Sequence, residues 1–272
     1  MPNKKIIIAF ALFLTLFSVM QFTVSTIIGF DSYFNIKAAD IIKKEGLIRE
    51  FPWAVHTILA ENYADVQFLF KILLIPFTFF DIELGAKIAS ILFAAACFSV
   101  FYWFLLENKI KYALFWTALY LFSSANLIYR FMESRQLPLA ISLIILTIYF
   151  LQKRKYLYLS IVSFIFVWLY SGFIIQLFII LAYVTAEKIF SKRFNYKIIL
   201  YSFGGALAGL IINPYFPDNI FFLYAQIFQV NLLSNLYNVE WKPWPFLEFI
   251  KNNVLILFYL IASFLILIKN KK

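Results

Sequence analysis

Apolar positions along this chain run in long blocks separated by short charged punctuation. The blocks at 5–29, 86–106, 112–129, 137–151, 156–171, 173–190, 197–213 and 253–268 hold almost no charge, and each reads as a helix that crosses a membrane. Crossing takes about 20 apolar residues, at ~1.5 Å each, to pass ~30 Å of hydrocarbon. Several of these blocks need small extensions to reach that length. A further block, 66–80, "VQFLFKILLIPFTFF", carries Lys71 near its middle and Pro76 near its end. Between the first block and this one the pattern changes. Phe34, Ala38, Ile41 and Ile42 recur at helical spacing, Lys37, Asp40 and Lys44 fall on another side, and Gly46 supplies a stop. A helix of that kind lies along a membrane surface rather than crossing it.

The distribution of charge decides what 66–80 does. If it lies in the interface, the clusters Lys4/Lys5, Lys109/Lys111, Lys153/Arg154/Lys155, Lys188/Lys192/Arg193/Lys197 and Lys269/Lys271/Lys272 share one face, with Glu107 and Glu187 the acids among them. Cytoplasmic connections carry the excess of Lys and Arg, and a crossing at 66–80 would put most of these clusters outside. The expectation is therefore an all-α, polytopic bundle of about eight transmembrane helices, one transmembrane domain over 1–272. Both termini are cytoplasmic and the location is the plasma (inner) membrane. Two connections are long, a first outer loop at 30–85 with horizontal helices and a second at 213–252. Function concentrates in long connections held by a rigid scaffold.

Composition agrees with the pattern. Of 272 residues, 64% are hydrophobic and 14% charged, and mean hydropathy is +0.85; soluble domains carry roughly 25% charged residues. The net charge of +10 sits in loop clusters, the pattern of a topology signal and not of a nucleic-acid partner. The apolar start is longer than the ~7–15 residues of a cleaved signal and reads as a retained span. Cys97, inside a block, excludes an internal disulfide and reads as a small apolar side chain.

Ionisable residues at membrane depth are site candidates. Arg130, Glu133 and Arg135 stand at the outer end of the third block; arginine suits bidentate phosphate contact, and the plainer alternative is an interfacial ion pair. "DIE" at Asp81–Glu83 reads as a turn, His56 as an interfacial polar residue, and Trp53, Tyr63, Trp241 and Trp244 as interfacial anchors. "NPYFPDN" (213–219) ends the seventh block, and Gly204, Gly205 and Gly209 read as close helix packing.

Three stretches carry a resemblance: "GFDSYFNIKAADIIKKEG", with Asp31 at the exit of the first span, "YADVQFLFKILLIPFTFF", and "YRFMESRQLPLAISL". Their order resembles the GT-C class of integral-membrane glycosyltransferases, which includes oligosaccharyltransferases, protein O-mannosyltransferases and lipid A aminoarabinose transferases. "INPYFPDN" after the seventh block is similar to a feature of bacterial members. The resemblance implies an enzyme that moves a sugar from a polyprenyl-phosphate donor to an acceptor at the outer face of the bilayer. Asp31 would orient or deprotonate the acceptor, or else cap the following helix. Arg130, Glu133 and Arg135 would bind substrate, cations steadying the leaving phosphate, and Asp65 would complete the acidic site unless it lies on a solvated helix face. A metal would be Mg²⁺ or Mn²⁺ on oxygen ligands, with Asp31 first among them. Ser32 stands where some families carry a second acid, and Asn35, Gln67 and Lys71 stand near positions where relatives carry histidines. Members of the class commonly continue beyond the point where this sequence reaches "KNKK". That leaves open a truncated product, a minimal form, or one half of a split enzyme whose partner subunit supplies an outer domain. The rival functions are a non-catalytic subunit or inactive paralogue that binds lipid-linked sugar, and, last, a small transporter.

Overall fold

The computed structural model describes residues 2–51, 63–229 and 245–269, and these form an all-α protein. His56, Trp53, Trp241 and Trp244 lie outside the described residues. The helices are α1 (Pro2–Phe22), α2 (Phe30–Glu45), α3 (Phe68–Leu74), α4 (Ile82–Glu107), α5 (Ala113–Leu121) and α6 (Ala125–Met132), then α7 (Leu137–Gln152), α8 (Tyr156–Leu169), α9 (Phe173–Ser191), α10 (Tyr196–Ile211), α11 (Asp218–Tyr224) and α12 (Phe246–Lys269). α3 runs on into a 3-10 turn, Ile75–Phe79.

Helix length corrects the expected number of spans. Among the described residues, four helices are long and apolar enough to cross a membrane: Lys4–Phe22, Ile82–Glu107, Phe173–Ser191 and Phe246–Leu265. A fifth is added if α6 and α7, bent by 109° at their break, are taken as one span. This is the make-up of a multi-pass membrane protein, with four or five such helices and not eight. The other blocks fall short for local reasons. Block 112–129 breaks in two because the Ser123 hydroxyl donates to the Tyr120 carbonyl (2.7 Å) and Ser124 is extended (φ −155°). α8 and α10, with 14 and 16 residues, reach only about 21 and 24 Å at ~1.5 Å per residue. The 66–80 block forms a short apolar helix, Phe68–Phe79, too short to cross.

Side-chain contacts hold the bundle. Phe13 and Phe17 of α1 each lie 5.6 Å from the Phe98 ring of α4, within a buried cluster that takes in Cys97. A Cβ on Gly205 would strike the backbone of Ser160, and one on Gly209 would press on the Phe164 carbonyl, so α10 and α8 pack backbone to backbone. The Trp168 indole donates to the Gly209 carbonyl (2.8 Å). Gln176 on α9 donates to the Thr147 hydroxyl on α7 (2.8 Å), a fully buried polar link of the kind that joins membrane helices.

The connections gather at two ends. At one, the α2 end, Ile27, Ile36, Phe70 and Leu169 share a buried cluster, and Arg49 donates to the Pro214 carbonyl (3.4 Å). At the other, Arg154 pairs with Glu187, and Asn195 donates to the Tyr156 hydroxyl (2.8 Å). Trp103 near the end of α4 lies 4.6 Å from Tyr149 near the end of α7.

Candidate functional site

The expected site starts where α1 gives way to α2. Gly29 precedes α2 with φ 79°, a left-handed conformation that glycine adopts without cost. Any Cβ there would run into the Glu133 side chain. Two constraints thus fall on one residue, and both bring the start of α2 against the α6–α7 connection. Gly29, not Asp31, is the N-cap, and no side chain caps the helix, which corrects the capping alternative for Asp31. The Asp31 carboxylate instead meets Arg135, Nη2 to Oδ2 2.8 Å. Placing an acid in the first helical turn is favourable in itself, since free amides point toward it.

A second set of bonds locks the same junction. The Ser134 amide donates to the Ser32 hydroxyl (2.8 Å), which in turn donates to the Ile28 carbonyl (2.6 Å). Asn35 donates through Nδ2 to the Ser134 carbonyl (3.1 Å). Ser32, Asn35 and Ser134 are all buried. The family resemblance marks Ser32 and Asn35 only as departures from its pattern; nothing in the sequence signals Ser134 or these bonds, whose partners lie about a hundred positions apart.

Glu133 is the hub of the charges. It is 4% exposed, and its Oε2 accepts from Arg130 Nη1 at 3.1 Å and lies 3.5 Å from Arg135 Nη1. Asp31, Glu133, Arg130 and Arg135 therefore form one cluster whose formal charges cancel. Three of its members remain reachable, with 50% of the Asp31 side chain, 37% of the Arg130 side chain and 23% of the Arg135 side chain exposed. The structure brings these four residues together.

Asp65 is elsewhere. Its Oδ1 accepts from Lys71 Nζ at 3.0 Å and from the Gln67 amide at 2.8 Å. Both partners of the ion pair are almost wholly enclosed, within a core that includes Tyr63 and Tyr215. Burial first, and then the Asp65 charge, raise the hydroxyl pKa of Tyr63 and of Tyr215 above the ordinary tyrosine value. Asp65 thus braces the segment after residue 62 against α3 and is not on a solvated face, and its partner Lys71 lies over the Phe34 ring of α2 at 5.3 Å. Asp81 caps α4 by accepting from the Glu83 amide (3.0 Å), and Glu83 accepts from the Tyr33 hydroxyl (3.2 Å). The stretch read from the sequence as a turn is thus the capped start of α4.

The surface of α2 adds shape. Residues 31, 34, 38 and 41 follow helical spacing, so they share a stripe along it. Phe34, Ala38 and Ile41 line a largely apolar groove of about 480 Å³ with Tyr33, Lys37 and Phe51. The buried side of α2 is a different one, holding Ile36 and Ala39. Of the apolar positions read at helical spacing, Phe34, Ala38 and Ile41 thus line the groove, one turn beyond Asp31, while Ile42 is buried.

A divalent metal does not suit this cluster. Hard cations need several oxygen ligands free of competing charge, whereas Arg135 already holds Asp31 Oδ2 and both arginines hold Glu133 Oε2. Among the described residues, no three His, Cys, Asp or Glu side chains gather as metal ligands. Comparisons with protein-family models, with curated proteins and with solved structures returned no match to this chain.

Proposed function

We propose that this protein is a membrane glycosyltransferase of the GT-C type, moving a sugar from a polyprenyl-phosphate carrier to an acceptor hydroxyl at the outer face of the membrane. One observation carries the reading: a partly exposed Asp31–Arg135 pair stands at the start of α2, one helical turn before Phe34, which lines a largely apolar groove along that helix. An anionic headgroup on a hydrocarbon chain has matching chemistry. The excess of Lys and Arg in the connections at the opposite end supports an orientation with that end cytoplasmic and the Asp31 cluster outside.

In this reading the lipid phosphate displaces Asp31 from Arg135 and takes the guanidinium in its place. Arg130 adds a second positive charge, and Glu133 keeps both arginines aimed. Freed from Arg135, the Asp31 carboxylate accepts the proton of the acceptor hydroxyl as its oxygen bonds to the sugar's anomeric carbon. The bond from that carbon to the phosphate oxygen breaks, and the phosphate departs with the electron pair, steadied by Arg135 and Arg130. No step runs through a metal.

The test is transfer from labelled polyprenyl-phosphate sugars in membranes, comparing wild type with Asp31→Asn. The expected result is loss of about 10²-fold or more, the lower range for a positioned acid or base. Full activity in Asp31→Asn would defeat the catalytic role. Binding of polyprenyl phosphate with no transfer by either protein would favour a non-catalytic subunit that holds lipid-linked sugar.

A further inference from the structure

The two ends of the bundle treat their cations differently. At the α2 end, positive charge is answered from within the fold. Lys37, Lys43 and Lys44 surround Asp40 at 2.8–3.5 Å, Lys71 pairs with Asp65 and Arg135 with Asp31 and Glu133. The Lys87 ammonium donates to the Val24 and Ser25 carbonyls. At the other end only Arg154 has an acid, Glu187. Among the described residues, Lys109, Lys111, Lys155, Lys192, Arg193 and Lys197 are exposed and have no carboxylate within ion-pair distance. They lie on the α4–α5, α7–α8 and α9–α10 connections and, for Lys197, in the first turn of α10, and Lys109, Arg154 and Lys192 take left-handed backbone conformations there.

Aromatic side chains stand among these charges. Tyr112, Tyr158, Phe194 and Tyr196 are exposed there, and Lys188 lies over the Phe194 ring at 5.6 Å. Exposed aromatics at the ends of apolar helices mark the level where hydrocarbon gives way to headgroups. The unanswered cations therefore sit at headgroup depth, not in bulk water.

We infer that this end of the bundle is a binding surface for anionic phospholipid headgroups, whose phosphates supply the counter-charges that the fold does not. The binding is independent of the Asp31 cluster and of any transfer chemistry. Each cation near a membrane surface strengthens attraction to anionic lipid about fivefold, so the surface should select strongly among lipids.

The experiment uses the full chain purified in mild detergent and offered equal amounts of phosphatidylcholine and phosphatidylglycerol, with the retained lipids counted by native mass spectrometry. Wild type should retain the anionic lipid at least about tenfold over the zwitterionic one. The quadruple variant Lys111→Gln, Lys155→Gln, Lys192→Gln, Lys197→Gln should lose that preference, and the matching Lys→Arg variant should keep it. A second measurement does not depend on the variants folding: raising salt from about 0.05 to about 0.5 M should collapse the wild-type preference. Equal retention of the two lipids by wild type, a preference that survives in a folded Gln variant, or a preference indifferent to salt overturns the inference.

Discussion

Asp31 and Arg135 are paired across a half-exposed gap, and that exposure limits what the pair does for stability. Surface pairs contribute about 0–1 kcal/mol, so Asp31→Asn should shift the unfolding midpoint of purified protein only slightly while removing transfer. A shift of several degrees would recast Asp31 as a structural residue. Gly29 and Glu133 should behave in the opposite way. Gly29→Ala forces a side chain into a left-handed conformation and into Glu133, and should cost about 1–3 kcal/mol, within the range of backbone strain. Thermal unfolding measures it, and unchanged stability would mean that the junction is looser than described. The cluster at 130–135 was legible because charges beside an apolar block are conspicuous. That Asp31 joins it came only through the family resemblance, since nothing local in either stretch specifies a contact about a hundred residues long. Ser32 and Asn35 stood out only as departures from the family pattern, and nothing marked Ser134 or the bonds by which the three hold the junction.

At the scale of elements, α2 and α3 form the platform that holds the site. The Lys71–Asp65 pair is enclosed, and removing one member of a buried pair leaves an uncompensated charge at a cost of about 3–5 kcal/mol. Lys71→Met alone should therefore lower stability strongly, and adding Asp65→Leu should restore much of it. If Asp65 instead bound substrate, the double variant would fold well and lose activity beyond what Lys71→Met explains. α2 also carries an acid-sensitive contact. The hydrogen bond from Lys44, with that from Lys43, outweighs lost hydration and holds the Asp40 carboxyl below its usual value. Its contribution is present above the unfolded value of about 3.9 and is lost as pH falls through the lower folded value. Hydrogen exchange along α2 should stay flat down to about pH 4 and rise below it; a rise near neutral pH would contradict this. Which apolar side of α2 packs inward was not legible: Phe34 and Ile41 are as apolar as Ile36 and Ala39, and periodicity alone cannot rank two apolar stripes. The stop at Gly46 was legible, and its amide does bond the Ile42 carbonyl at 3.0 Å.

For the whole molecule, apolar blocks announced the helices better than they announced the spans. Hydropathy does not register that Ser123 terminates α5, or that α8 and α10 end before reaching the length of a bilayer. Close packing of α10 on α8 through Gly205 was readable from the small residues in "FGGALAGL". Gly205→Leu should cost about 1–3 kcal/mol or more through overpacking, seen as a lowered unfolding midpoint, and wild-type stability in that variant would contradict the contact. The separation of the two ends, one internally neutralised and one with unanswered cations, fits a molecule that presents different chemistry to the two faces of a membrane.

The central claim is that the cluster joining the start of α2 to the α6–α7 connection receives a phosphate carried on a hydrocarbon chain. Its most direct test is the affinity of purified protein for polyprenyl phosphate, measured for wild type, Arg135→Gln and, as an uncharged control at the far end, Gln152→Ala. A hydrogen bond to a charged group contributes about 1.5–3 kcal/mol, which is roughly a tenfold to hundredfold change in affinity. A loss of that size is expected in Arg135→Gln and none in Gln152→Ala. Equal affinity in wild type and Arg135→Gln would contradict it.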